Sequence, residues 1–206
     1  GKDAGTKSIT IQDGWTLTDT DGKDMSGNYN ITTKSTDGTI NKKTLILTPV
    51  TFERTYDGTV DINRASDNSY TQKGLVSDYD KITGVVTEYA DKNAGTHDIS
   101  ILKGYIITDK DSADMSGNYN ITDTAKVKGT INKQDIELTP VTYERIYDGT
   151  VDINRASKDA YTQKGLVSKF DTISGVVTEY ADKNAGTKDI SILKGYIITD
   201  KDGVDM

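Results

Sequence analysis

The feature of this sequence that most constrains its fold is a long internal repeat. The string Lys-Asp-Ala-Gly-Thr at residues 2–6 recurs as Lys-Asn-Ala-Gly-Thr at residues 92–96 and 183–187, so the period is 90 to 91 residues. Solenoid repeats are shorter, at roughly 20–45 residues per unit. A period of about 90 residues instead matches the size of a β-sandwich domain. We therefore expect a series of small domains rather than one compact body.

The two prolines of the chain mark equivalent positions in the repeat. Pro49 and Pro140 both stand in the string Leu-Thr-Pro-Val-Thr, and proline is tolerated at strand starts and edges, where it stiffens a junction. We place repeat boundaries near residues 43 and 134, although a different phase is compatible with the sequence. The prediction is a C-terminal part of a repeat at residues 1–42, a complete repeat at 43–133, and a repeat lacking its last strand at 134–206. Because the sequence starts inside a repeat, we expect it to be an excerpt.

The distribution of apolar residues predicts β-structure. Hydrophobic residues make up only 33% of the chain, yet they gather in short alternating runs typical of strands, and turn-forming strings such as Asp-Gly separate the runs. Strands are predicted at residues 8–11, 44–48, 50–53, 85–89, 99–102 and 105–108. Residues 62–66 and 70–83 leave room for one short helical turn. A complete repeat would hold about seven strands, which predicts an elongated, all-β protein of tandem immunoglobulin-like β-sandwiches.

Composition argues against several classes of function. The net charge is −7, with acidic and basic residues interspersed, so the basic stripe that nucleic acid binding requires is missing. No apolar run approaches the roughly 20 residues needed to cross a bilayer. We therefore expect no nucleic acid partner and no membrane contact by this segment. The chain has no cysteine, so disulfides do not brace the predicted domains.

Comparison of equivalent repeat positions shows whether candidate catalytic residues recur. His97 is the only histidine, and lysine replaces it at the equivalent positions Lys7 and Lys188. A general base would not be exchanged for lysine between near-identical repeats. Cysteine nucleophiles are excluded by composition, and no repeated histidine is present for a serine triad. We expect the chain not to be an enzyme.

One recurring polar pattern points to a metal. Asp-x-Asp-x-x-Asp in a predicted loop can present three carboxylates to Ca²⁺, which prefers oxygen ligands. The candidate ligands are Asp19, Asp21, Asp24, Asp109, Asp111, Asp114, Asp200, Asp202 and Asp205. The alternative is a solvated turn in which each carboxylate bonds its own backbone. Lys110 and Lys201, which lie between the first two acids of their clusters, oppose cation binding and favour that interpretation. Calcium is the only cofactor that the residues suggest. A Lys–Asn isopeptide bond is a further hypothesis for a cysteine-free chain, but both residue types are too common for the sequence to locate one.

Several strings together resemble a known repeat family. Tyr-Asp-Gly-Thr stands at residues 56–59 and 147–150, and Tyr-Ala-Asp-Lys-Asn-Ala-Gly-Thr stands at residues 89–96 and 180–187. Ser-Gly-Asn-Tyr follows at residues 116–119, and Gly-Thr-Ile closes the repeat at residues 129–131. This combination resembles the YDG-type repeat, a companion of the MBG repeats in very large bacterial secreted and surface proteins.

The resemblance implies an all-β module of an extracellular or cell-surface bacterial adhesin, of the kind involved in cell adhesion and biofilms. The expected function is a non-catalytic stalk that projects a distal binding domain. The expected partners are then the neighbouring repeats of the same chain, and the chain is expected to be a monomer. The alternative is that the repeats are themselves binding modules for glycan or host surface protein, whose weak sites sum by avidity.

Overall fold

The computed structural model describes residues 1–62, 66–122, 126–153 and 155–206. In these residues β-strands predominate, accompanied by two α-helices of four residues each and two short 3₁₀ turns at Ser26–Asn28 and Ser116–Asn118. The prediction of an all-β fold is therefore confirmed. In the described part of the chain, no helix has the length and apolar character that a bilayer crossing requires.

The strands follow one another along the chain as β1 (Gly5–Ile9), β2 (Thr36–Ile40), β3 (Lys43–Pro49), β4 (Glu53–Thr55), β5 (Tyr70–Lys73), β6 (Asp80–Thr83), β7 (Val86–Tyr89), β8 (Gly95–Leu102), β9 (Ile106–Asp109), β10 (Tyr119–Thr122), β11 (Val127–Asn132), β12 (Glu137–Pro140), β13 (Tyr161–Lys164), β14 (Asp171–Ser174), β15 (Thr178–Tyr180), β16 (Ile190–Ile192) and β17 (Ile197–Asp200). The two helices are α1 (Ser66–Ser69) and α2 (Ser157–Ala160). Each helix ends directly before a strand that begins with tyrosine.

The chain divides into two compact units. The first consists of Gly1–Pro49, Arg64–Val86 and Ile101–Ala125, and the second of Val50–Asn63, Thr87–Ser100 and Lys126–Met206. Their borders do not coincide with the predicted repeats. The boundary near residue 43 lies inside the first unit, and the boundary near residue 134 lies inside the second. The three repeat ranges therefore remain a prediction about sequence period.

The first unit contains a pair of antiparallel strands β1 and β2, a three-stranded sheet in the order β10-β3-β5, and the antiparallel pair β6 and β9. Its core forms because apolar side chains alternate along β3, where Leu45 and Leu47 are both 0% exposed. The buried members of this core are Leu45, Leu47, Ile82, Val85, Ile101, Ile107, Met115 and Tyr119.

The second unit contains a four-stranded sheet in the order β4-β11-β8-β7 and three antiparallel pairs, which are β12 with β13, β14 with β17, and β15 with β16. β11 lies between a parallel neighbour, β4, and an antiparallel neighbour, β8. A second buried cluster packs against this sheet and consists of Ile62, Tyr89, Ile99 and Ile131.

The complete repeat at residues 43–133 has more strands than predicted. Nine strands, β3 to β11, fall in its described residues, where about seven were expected. Strands β5, β6, β10 and β11 lie outside the segments that were predicted as strands. β5 and β6 fall within residues 70–83, where the sequence left room for a short helical turn. Gly84, with φ of 73°, lies between β6 and β7.

Strand registers recur with the sequence period. Pro49 lies opposite Tyr70 where β3 pairs with β5, and Pro140 lies opposite Tyr161 where β12 pairs with β13. Likewise the pairing of β6 with β9 and that of β14 with β17 both join an aspartate to an aspartate. Equivalent sequences thus make equivalent local pairs, which is the structural basis for comparing repeat positions.

Candidate functional site at the repeat junctions

Each of the three acidic clusters forms a loop that its first aspartate holds together. Asp109 Oδ1 accepts hydrogen bonds from the backbone N–H groups of Asp111 and Ala113, both at 3.0 Å. The loops that begin at Asp19 and Asp200 contain the same two bonds, at 2.9–3.0 Å. One oxygen of each first aspartate is therefore already used by the backbone of its own loop.

In the first two clusters, the last aspartate bonds the first residue of the 3₁₀ turn that follows. Asp114 Oδ1 accepts a hydrogen bond from the backbone N–H of Ser116 at 2.8 Å, and Asp24 accepts the equivalent bond from Ser26 at 2.8 Å. Hydrogen bonding by these serines lowers the pKa of Asp114 and of Asp24 below the usual value. In the third cluster, Asp205 forms a backbone bridge with Thr199.

The structure places the candidate calcium ligands in these loops, where other groups already hold several of them. Asp111 Oδ2 lies 2.6 Å from Lys110 Nζ, and Asp202 Oδ2 lies 3.5 Å from Lys201 Nζ. Within the four described ranges, no group of three His, Cys, Asp or Glu side chains is arranged to hold a metal ion. Calcium binding by the loops, which include Asp21, stays a prediction.

The single histidine takes part in a local contact. His97 lies in β8, and its Nε2 is 2.7 Å from the carbonyl oxygen of Asn93. The ring is partly buried on this strand. The equivalent position in the third repeat, Lys188, instead forms an ion pair with Asp182, with 2.8 Å between Nζ and Oδ2. Both side chains therefore contact residues of the same neighbouring turn.

The most distinctive feature is an ion pair that recurs at both predicted repeat boundaries. Lys2 Nζ lies 2.9 Å from Asp109 Oδ2, and Lys92 Nζ lies 2.7 Å from Asp200 Oδ2. Lys2 and Lys92 occupy equivalent positions in successive repeats, as do Asp109 and Asp200. Each lysine contacts the repeat that follows its own. Each pair also lies within one compact unit.

Both ion pairs stay charged over a wide pH range. Each aspartate is only 7% exposed. The hydrogen bond from Lys2 is the largest effect that lowers the pKa of Asp109, and the bond from Lys92 lowers the pKa of Asp200 to about 2. The same contacts raise the pKa of the two lysines. Because each carboxylate also accepts two backbone N–H groups, it is fixed in position to receive the lysine.

In the first unit, an asparagine adds to the junction. Asn118 Oδ1 accepts a hydrogen bond from the backbone N–H of Ala4 at 2.7 Å, and Asn118 Nδ2 donates to Asp3 Oδ1 at 3.1 Å. Asn118 belongs to the Ser-Gly-Asn turn of the second repeat, whereas residues 3 and 4 belong to the Lys-x-Ala-Gly-Thr string of the first. Two strings that characterise the repeat sequence thus meet across the boundary.

In the second unit, the Tyr-Asp-Gly turn of the second repeat contacts the third repeat. Tyr56 Oη donates to Asp171 Oδ1 at 3.0 Å. Gly58 lies so close to Phe170 that an added Cβ would be 2.4 Å from the ring. Burial, and next the bond to Asp171, raises the pKa of Tyr56 well above its ordinary value. The tyrosine therefore remains a hydrogen-bond donor across the junction.

An arginine orders the Tyr-Asp-Gly-Thr turn itself. Asp57 Oδ1 accepts hydrogen bonds from the backbone N–H and the hydroxyl of Thr59 at 2.9 and 2.8 Å. The Arg54 guanidinium pairs with Asp57, donates to the carbonyl oxygen of Thr59, and lies over the Tyr89 ring at 5.3 Å from its centroid. In the third repeat, Arg145 makes the corresponding contacts. Gly58, with φ of 82°, takes the left-handed conformation that the turn requires.

The model of the YDG domain family matches residues 41–126. This segment is a YDG domain. The resemblance to a YDG-type repeat is therefore confirmed for residues 41–126, which include the Tyr-Asp-Gly turn and the Asp109 loop. No curated protein and no solved structure matches the chain.

Reasoning from the sequence missed two groups of residues in the YDG domain and its neighbours. The junction lysines Lys2 and Lys92 were read only as part of a repeated string, and Arg54 and Arg145 were not considered at all. The available signal was recurrence, because a charged residue kept at the same position of successive repeats often has a fixed partner. The arrangement as a whole joins neighbouring repeats by polar contacts and orders the loops that make them.

Proposed function

We propose that this YDG domain and its neighbours are non-catalytic spacer repeats of a secreted or cell-surface bacterial adhesin, which hold a distal binding domain away from the cell. We further propose that the repeats are immunoglobulin-like β-sandwiches in an elongated, monomeric array. The observation that carries the proposal is the ion pair between a lysine of one repeat and an aspartate of the next. It occurs at both predicted boundaries, in Lys2–Asp109 and Lys92–Asp200.

A spacer needs junctions that preserve direction. Repeats joined by a flexible linker have few contacts across the boundary and reorient freely. Here both predicted boundaries lie inside compact units, and buried carboxylates fix the junction contacts. The contacts are directional hydrogen bonds, which specify an orientation more sharply than apolar packing does. This arrangement supports a role in which the number of repeats sets reach.

The surface charge supports the same role. The chain has 32 acidic and 25 basic residues, and interspersed charges with a net excess keep repeated domains soluble. Charged side chains also discourage edge strands of neighbouring copies from pairing wrongly. Close copies of one sequence are otherwise prone to such mispairing.

The test is a length series of chains that contain two, four and six tandem copies of residues 43–133. Small-angle scattering should give a maximum dimension that grows linearly, by roughly 25 Å per repeat if strands of eight residues such as β8 run along the long axis. Replacing every junction lysine with methionine should shorten the average dimension, whereas replacing Lys110, which pairs with its own neighbour, should not. A dimension that fails to grow with copy number would refute the proposal. Specific binding of the same chains to a glycan array or to host surface proteins would favour multivalent recognition instead.

A further inference from the structure

A short polar motif recurs at one position of the repeat. Asn-Ile-Thr stands at residues 30–32 and again at residues 120–122, each time directly after Ser-Gly-Asn-Tyr. None of the other nine asparagines of the chain has serine or threonine two residues later. Asn-x-Ser/Thr, in which x is not proline, is the acceptor motif of N-linked glycosylation. A motif this short identifies an acceptor only where the fold leaves the asparagine accessible.

Strand β10 places Asn120 on the exposed face of its sheet. Side chains alternate along a strand, so Tyr119 is 4% exposed within the first core whereas Asn120 is exposed to solvent. Thr44, the partner of Asn120 in the neighbouring strand β3, is exposed as well. The side chain of Asn120 therefore lies on the polar surface of the sheet and not in the core.

A complete preceding repeat leaves this face of the sheet open. Thr44 corresponds to Asp135 in the third repeat, and the whole of residues 43–133 precedes Asp135. Asp135 is nevertheless exposed. The exposure of the face that carries Asn120 is thus a property of the repeat itself.

The carboxamide of Asn120 is also free to react. Within the described residues, no hydrogen bond joins this side chain to another group. Asn118, two residues earlier, differs in this respect, because its Oδ1 accepts from the backbone N–H of Ala4 and its Nδ2 donates to Asp3. The junction therefore holds the carboxamide of Asn118 and leaves that of Asn120 available.

The hydroxyl that the motif requires lies on the same face. Asn120 and Thr122 are two residues apart in a strand, so their side chains project to one side of the sheet. Thr122 is partly exposed, and Ile121 between them packs against the first core. A transferase can therefore reach both the carboxamide and the hydroxyl from solvent.

We propose that Asn120, and the exposed Asn30 at the equivalent position, are acceptors for an N-linked sugar. The donor is a sugar whose C1 is bonded to a pyrophosphate, carried on a nucleoside or on a lipid. Asn120 Nδ2 forms a bond to C1 as the bond between C1 and the phosphate oxygen breaks. The pyrophosphate compound leaves with the bonding electrons, and Nδ2 releases one proton to the transferase. This proposal concerns the surface of the repeat and does not depend on the spacer function.

A sugar at this position would also cover an uncharged edge strand. In the described part of the chain, β10 has a neighbouring strand, β3, on one side only. The four residues of β10 carry no charge, and uncharged edge strands can pair with those of other chains. A bulky, hydrophilic sugar on Asn120 would hinder such pairing.

The test is mass spectrometry of peptides from the 206-residue chain produced in its native host. The peptide that contains Asn120 should be heavier by about 162 Da if a nucleotide donor supplies one hexose. An increase by the mass of an oligosaccharide would instead identify a lipid-linked donor.

Two variants test the motif. Thr122→Ala removes the required hydroxyl and should abolish the added mass at Asn120, whereas Thr122→Ser keeps a hydroxyl and should retain the added mass. The peptide that contains Asn30 is the control in the same digest, because both variants leave its motif intact. Circular dichroism shows whether each variant is folded.

A third variant tests accessibility in the folded chain. Asn120→Thr removes the acceptor and at the same time creates an Asn-x-Thr motif at Asn118. The purified chains are incubated with UDP-glucose and a soluble asparagine glucosyltransferase. The parent should gain two hexoses, at Asn30 and Asn120, whereas the variant should gain one, at Asn30, because Ala4 and Asp3 hold the carboxamide of Asn118.

Three results would overturn the proposal. The first is an unmodified Asn120 peptide from the native host, and the second is an added mass at Asn120 that persists in Thr122→Ala. The third is modification of Asn118 in the Asn120→Thr variant as complete as that of Asn120 in the parent, because a free carboxamide would then not select the site.

Discussion

Gly129 offers the sharpest test of how tightly the second core is packed. The residue lies in the middle of β11 in an ordinary extended conformation, which alanine adopts without backbone strain. The obstacle is packing, because the carbonyl oxygen of Phe52 would lie 2.6 Å from the new Cβ. Phe52 directly precedes β4, and its carbonyl oxygen accepts a hydrogen bond from the backbone N–H of Thr130 at 3.0 Å, so this oxygen cannot move away without losing that bond. Relief to an ordinary contact requires a movement of roughly 0.8 Å in a close-packed sheet.

Two opposing effects determine how much Gly129→Ala changes the free energy of unfolding. Overpacking of a core costs about 1–3 kcal/mol, and the upper end applies here because three atoms are too close at once. Replacing glycine with alanine in a strand returns roughly 0.5–1 kcal/mol of backbone entropy. We therefore expect Gly129→Ala to destabilise the second unit by about 2 kcal/mol, which corresponds to a fall of about 8 °C in its melting temperature.

Gly38 is the matched control, since it occupies the same repeat position in the first unit. An added Cβ there would meet only the end of the Ile9 side chain, at 2.6 Å from Cδ1, and Ile9 is 55% exposed. That side chain can rotate into solvent, so Gly38→Ala should leave stability within about 0.5 kcal/mol of the parent.

Differential scanning calorimetry of the three full chains measures the effect. The fluorescence of Trp15, the only tryptophan, reports on the first unit alone and should not change in the Gly129 variant. Equal decreases in melting temperature for Gly129→Ala and Gly38→Ala would refute the argument that overpacking against Phe52 destabilises the Gly129 variant.

Three further predictions follow from the junctions and loops. Lys92→Met should lower the melting temperature at neutral pH. Because the pKa of Asp200 is depressed to about 2, the ion pair stabilises the folded state fully only above the unfolded pKa of aspartate, at about 4. The difference in melting temperature between variant and parent should therefore disappear as the pH falls from about 4 to about 2. A gap independent of pH would exclude the ion pair as its cause. Tyr56→Phe loses the bond to Asp171 and should cost about 1 kcal/mol in chemical denaturation, whereas Tyr147→Phe, at a residue 62% exposed, should change little. If the acidic loops bind calcium, millimolar Ca²⁺ should raise the melting temperature relative to chelator; identical melting curves would remove the hypothesis.

The strand content could be predicted from the sequence because it depends on local alternation. Leu45 and Leu47 alternate with exposed neighbours in β3, and the structure buries both. The strands Tyr70–Lys73 and Asp80–Thr83 were harder to predict, because each contains a single large apolar or aromatic residue and shows no alternation. The Tyr-Asp-Gly turns were recognisable because their conformation depends on a few adjacent residues.

The junction contacts could not be predicted, for a reason specific to repeats. Lys92 and Asp109 lie in the same repeat, whereas Lys2 and Asp109 lie in successive repeats. Both combinations consist of the same two residue types at the same repeat positions. A charge pattern alone cannot distinguish a contact within a repeat from a contact between repeats. Only the fold shows that the lysine reaches forward into the next copy.

The apolar cores and the polar junctions lie in different parts of the repeat. Every buried member of the two core clusters lies between Leu45 and Ile131, whereas the contacts across the boundaries are mostly polar. Burial of apolar surface is the dominant favourable contribution to folding. The repeat at residues 43–133 should therefore fold alone, and the junctions should orient repeats that are already stable.

A fragment of equal length in a shifted phase provides the control. Residues 50–140 contain the same number of residues but lose β3, and with it Leu45 and Leu47, both of which are 0% exposed. Loss of two fully buried leucines removes several kcal/mol, at about 2–5 kcal/mol for each large-to-small change, which approaches the whole stability of a small domain. Amide exchange should show strong protection of Leu47 and Ile107, which belong to one core, in the fragment 43–133 and little protection of Ile107 in the fragment 50–140. If instead the fragment 43–133 exchanged freely until its neighbours were attached, the polar junctions would contribute to folding itself, and the boundaries at residues 43 and 134 would have no physical meaning.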